Sequence, residues 1–66
     1  MSDYLDIKYD KIIRKTELAI LFEIGGEEHW LPKSQIENPD QLEDDGGDVS
    51  VQFWLVVEKG LEGYAS

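Results

Sequence analysis

Apolar and polar residues alternate most regularly between Leu18 and Ile24, where Leu18, Ile20, Phe22 and Ile24 line one face and Ala19, Leu21 and Glu23 the other. This is the pattern of a strand, and Gly25-Gly26 ends it after seven residues with a hairpin turn. The return strand runs from Glu27 through Trp30-Leu31 to Pro32. A two-residue Gly25-Gly26 loop pairs Phe22 with His29 and Leu21 with Trp30, and a four-residue loop shifts the pairing by two. Because side chains alternate with period two, both leave every side chain on the same face. Leu31 then shares a face with Ile20 and Phe22, and Trp30 shares the other with Ala19 and Leu21. Pro32 has no N–H to donate, so it ends regular pairing or marks an edge.

Upstream, Asp6 to Thr16 is β-branched, aromatic and basic, and reads as a first strand, bulged or broken where Ile12 and Ile13 are adjacent. Thr16-Glu17 is the turn into the second strand. Downstream, Lys33-Ser34-Gln35-Ile36 leaves the sheet with Ile36 tucked back as an anchor. Residues 37–48 form a loop rich in Asn, Pro, Asp and Gly. Val49 to Gln52 is a short last strand. Phe53 to Lys59 fits either a continuation of that strand or a helix. Lys59 in a last turn followed by Gly60 favours a helix ended by a left-handed glycine. The expected fold is α+β, a single small domain over residues 1–66. It has one small antiparallel sheet of three to four strands, open or curled, and a short C-terminal helix.

Charge then changes the picture. The chain has 66 residues and a formal charge of −9. The loop alone carries Glu37, Asp40, Glu43, Asp44, Asp45 and Asp48 and no basic residue. A field of that sign repels nucleic acid and anionic membranes and attracts basic protein surfaces. The cations gather early, at Lys8, Lys11, Arg14 and Lys15, where they are placed to neutralise acids within the domain. The chain has no cysteine, which excludes disulfides and thiolate metal sites and makes a reducing cytoplasm the expected compartment. The start Met-Ser-Asp-Tyr lacks the pattern of a signal peptide, and no apolar run approaches the ~18 residues of a membrane span.

Two stretches carry a resemblance. Trp30-Leu31-Pro32-Lys33-Ser34-Gln35-Ile36 and Trp54-Leu55-Val56-Val57-Glu58-Lys59-Gly60-Leu61 resemble a pattern in small phage- and prophage-type proteins, over roughly residues 11 to 61. In that pattern an acidic spacer precedes a short strand and then a helix. No activity comes with it. The chain departs from the pattern at Gln52-Phe53, where Pro-Glu usually opens the helix, and at Val56-Val57, where Ala and an acid are usual. Both changes weaken the helix and make its outer face more apolar.

Candidate chemistry is sparse. His29 is the one conventional base and stands next to Trp30 in a hairpin strand, where an edge or half-buried histidine is expected, with no local partner for a triad. Glu27-Glu28 alternate faces and belong to a solvated turn. Asp44-Asp45-Gly46-Gly47-Asp48 fails the calcium-loop spacing, because the third position is Gly46 and the twelfth is Leu55. No phosphate-binding loop is present. The chain is therefore expected to be non-enzymatic, with no cofactor and no metal.

The leading expectation is an acidic interaction module that engages a basic protein surface. Its candidate contacts are Glu23, Glu27, Glu28, Glu37, Asp40, Glu43, Asp44, Asp45 and Asp48, with Trp30, Phe53 and Trp54 as apolar contacts. In the setting the resemblance implies, this becomes an inhibitor of a nucleic-acid-binding host defence complex, of anti-CRISPR type, in the host cytoplasm. Carboxylates along a rigid face would imitate a phosphate backbone. The alternatives are a small nucleic-acid-binding or accessory subunit of a phage replication or recombination complex, working through Trp30 and the Lys8 to Lys15 strip, or a self-associating structural domain that forms a homodimer. Direct nucleic-acid binding is disfavoured by the charge. A purely solubilising role for the acidic loop is the plain competing explanation.

Overall fold

Gly25 and Gly26 adopt φ of +59° and +83°, the left-handed pair that a tight two-residue hairpin needs. Around them, strands β3 (Ala19–Ile24) and β4 (Glu27–Pro32) pair in the register of the two-residue loop, Phe22 with His29 and Leu21 with Trp30. A computed structural model provides these positions and describes residues 3–65. Leu18 lies outside the strand, in the preceding turn, and is 78% exposed.

The segment expected as one first strand is two. Strand β1 (Tyr4–Tyr9) pairs with strand β5 (Gly47–Gln52), while strand β2 (Lys11–Lys15) pairs with β3. The cause is a parity change at Asp10. Ile7 and Tyr9 are buried on odd positions, whereas Ile12 packs against the core from an even one. One strand cannot serve both sets, so the chain bends at Asp10 and changes sheets. Beyond it, the register shifts between Ile12 and Arg14, leaving Ile13 as an exposed bulge residue.

The single sheet is thus corrected to two antiparallel sheets, β1-β5 and β2-β3-β4, which do not close into a barrel. Strand β5 starts two residues earlier than expected because Gly47 pairs with Tyr9. Residues 33–35 and 39–41 each form a 3-10 turn, and the isolated bridge Ile36–Val51 returns the chain to β5. Ile36 is the buried anchor the sequence predicts.

Helix α1 (Phe53–Lys59) follows β5 directly. It has no side-chain cap at Gln52; the carbonyl of Asp3 accepts from the Phe53 N–H instead, at 2.8 Å. Its end is a Schellman turn. Gly60 is left-handed, its N–H reaches Val57 O at 3.1 Å, and the Leu61 N–H reaches Val56 O at 2.9 Å. Leu55 and Val56 point inward with Leu61 and join Ile7, Tyr9, Ile20, Phe22, Ile24, Leu31, Ile36, Val49 and Val51 in one core. Overall the fold is mostly β with a C-terminal helix.

Candidate functional site: a tethered acidic surface

The acidic loop hangs on four attachments. Its first residue, Glu37, donates its N–H to Ser50 O at 2.9 Å. Leu42 packs against the core from the middle of the run. Tyr9, itself buried, donates its hydroxyl to Glu43 O at 2.7 Å. Asp44 accepts the Ile12 N–H at 2.9 Å through its carbonyl, and its carboxylate meets Lys15 Nζ at 3.0 Å. Gly46 then passes so close to Asp10 that a Cβ would lie 2.8 Å from the Asp10 carbonyl oxygen, and its φ of +113° further restricts it to glycine. The loop is thus held to the rest of the fold at Glu37 and again from Leu42 to Gly46.

Most candidate acids are outward. Glu27, Glu28, Glu37, Asp40, Glu43, Asp44, Asp45 and Asp48 are exposed, and Glu23 is half-buried. Lys11–Glu23 at 3.9 Å and Lys15–Asp44 at 3.0 Å are ion pairs among the described residues, and they involve two of the four early cations expected to neutralise acids within the domain. Exposed pairs of this kind contribute at most about 1 kcal/mol each. Strands β2 and β4 lie on opposite sides of β3, so Lys33, which follows β4, does not extend the Lys11 to Lys15 strip through direct strand pairing.

Asp10 is the residue that sequence reasoning missed. Its N–H donates to Glu23 O at 2.7 Å, Gly46 abuts its carbonyl, and it shares a recess with Gly25. It therefore touches both the end of the acidic run, at Gly46, and the β3-β4 hairpin, at Glu23 and Gly25. Glu37 enters the loop from the Ile36–Val51 bridge instead, beside β5. The sequence carries no local signal for Asp10, because the change of parity around it shows only in the burial of Ile7, Tyr9 and Ile12. The recess, about 360 Å³, is bounded by Lys8, Asp10, Gly25, Gly63, Tyr64 and Ala65. His29 does not line it; it is half-buried in β4 opposite Phe22.

The apolar candidates sit on two different elements. Trp30 is on the outer face of the three-stranded sheet, across from Leu21, which in turn pairs with Arg14. Phe53 and Trp54 project from α1 and, with Val57, leave an apolar outer helix face that is 46–55% exposed. Val56, considered with Phe53 and Val57 as part of that outer face, is fully buried.

No family model, curated protein or solved structure matches this chain. Among the described residues no helix is long and apolar enough to cross a membrane, and no group of three or more His, Cys, Asp or Glu is arranged to hold a metal ion.

Proposed function

We propose that this protein is a non-enzymatic acidic interaction module, acting as a phage-type inhibitor that engages the basic surface of a nucleic-acid-binding host defence complex. The observation that carries the proposal is the tethering of residues 37–46. Carboxylates on a backbone already bonded to Ser50, Tyr9 and Ile12 need little ordering on contact. Pre-organisation of this kind lowers the entropic cost of association, and a net charge of −9 accelerates encounter with a basic surface. A merely solubilising loop has no need of such attachments. The phage-type setting rests on the sequence resemblance alone, and the apolar residues Trp30, Phe53 and Trp54 supply contact area beside the charges.

The test compares wild-type protein with the variant Glu37→Gln, Asp40→Asn, Glu43→Gln, Asp45→Asn, which leaves the Lys15 partner Asp44 in place. Each tagged protein is used to capture binders from host lysate at low salt, with salt elution and DNA competition. Wild type is expected to recover a basic nucleic-acid-binding complex that DNA displaces, and the variant to recover at least tenfold less. Equal recovery by both proteins sinks the mimicry reading. Retention of the complex only by the Lys11 and Arg14 face, seen as loss on Lys11→Ala, Arg14→Ala, favours a nucleic-acid-binding accessory role instead.

A further inference from the structure

Three of the strands at sheet edges are met by another stretch of chain. The Ile12 N–H of β2 donates to Asp44, β1 bridges to Ala65 through Ile7, and β5 is met by Ile36 and Glu37. Strand β4 is different: β3 covers one side, and among the described residues no backbone hydrogen bond reaches the other.

The direction of its free groups follows from parity. The Lys33 N–H donates to Leu18 O at 2.8 Å, which marks a hydrogen-bonded pair. Stepping by two makes Ile20/Leu31, Phe22/His29 and Ile24/Glu27 bonded pairs as well. Glu28 and Trp30 therefore turn their N–H and C=O groups away from β3. Pro32, the next outward position, has no N–H and ends the row. Two donors and two acceptors remain on an open edge. Above them the side chains of Glu28 and Trp30 stand exposed on the outer sheet face.

We infer that the Glu28–Trp30 edge receives an extended basic segment of the partner protein by β-strand addition. Residues i and i+2 of the added strand would lie beside Glu28 and Trp30. A lysine or arginine there meets the Glu28 carboxylate at one position and the face of the Trp30 indole at the other. Main-chain bonds supply attachment and the alternate side chains supply selection. The inference rests on the acidic-module reading for the sign of the occupant. Net charge disfavours a second copy of this chain as the occupant, since two molecules of −9 repel each other.

The probe is the peptide acetyl-Lys-Val-Lys-Val-Lys-Val-amide, with acetyl-Lys-Val-Lys-Pro-Lys-Val-amide as a control of equal charge that cannot pair throughout. Each is titrated at low salt into isotopically labelled protein, followed by amide spectra and hydrogen exchange. The alternating peptide is expected to bind at least tenfold more tightly than the control and to slow exchange of the Glu28 and Trp30 amides at least tenfold. Glu28→Gln should weaken binding but keep that protection. Glu28→Pro, which deletes the outward N–H, should abolish the preference between peptides. Equal binding of both peptides, with spectral changes confined to residues 37–48, overturns the edge proposal and leaves the acidic module standing. Failure of both peptides to bind also overturns it, while the lysate comparison judges the module separately.

Discussion

At Tyr9 one side chain faces two ways. Its ring meets Phe22 edge to face, with centroids 4.9 Å apart, and its hydroxyl reaches out to the backbone of Glu43. Aromatic packing fixes the ring, and the ring fixes the loop. Tyr9→Phe keeps the packing and deletes the tether, so it should cost about 1–2 kcal/mol in urea denaturation and speed amide exchange at residues 43–45. Unchanged exchange there would mean that Leu42 and Asp44 hold the loop unaided. The same hydroxyl has a pH consequence. Burial, then the negative field of Glu43, Asp44 and Asp48, raises its pKa above the ordinary 10.0. The unfolded chain therefore ionises first. Stability from this group is fully present below pH 10 and is lost as pH rises from there through the folded value. Tyr9→Phe should remove that part of the alkaline loss, measured as stability against pH.

At the scale of elements, the hairpin and its faces were legible because Gly25-Gly26 and the alternation leave one parity. The register was not, since two- and four-residue loops share that parity, and the structure shows the two-residue one. The bulge was legible in Ile12-Ile13, and the helix in Lys59-Gly60. The bend at Asp10 was not, since β-branched and basic residues on both sides read as one continuous strand; only the burial of Ile7, Tyr9 and Ile12 exposes the change of face. Of the candidate acidic surface, the run of carboxylates could be read from the sequence and the attachment of its backbone could not. A tyrosine hydroxyl crossing to Glu43, far along the chain, leaves no local mark. Helix α1 gives an element-level test of which face is packed. Trp54→Gln should change stability by no more than about 0.5 kcal/mol, as an exposed substitution does. Leu55→Ala should cost about 2–5 kcal/mol by opening the core. Comparable losses in chemical denaturation would show that Trp54 is packed as well as Leu55.

For the molecule as a whole, a charge of −9 sets self-repulsion against ion pairs such as Lys11–Glu23 and Lys15–Asp44. Salt screens both, and the repulsion involves more charges. The Tm should therefore rise between about 10 mM and about 0.2 M NaCl, followed by circular dichroism; a fall would place the Lys11 and Lys15 pairs ahead of the repulsion. Connectivity adds a constraint of another kind. Strands β2, β3 and β4 are sequence neighbours and can assemble from local contacts, whereas β1 must wait for β5, its partner from the far end of the chain. The acidic loop lies between β4 and β5 in the chain, and its attachments span Tyr9 of β1, Ile12 of β2 and Ser50 of β5. On a ribosome, the nascent chain would display a hairpin and a floppy acidic segment until β5 emerged. The tethered carboxylate surface is thus completed only when β5 pairs with β1, and a copy cut short before β5 would carry the loop's carboxylates without that arrangement.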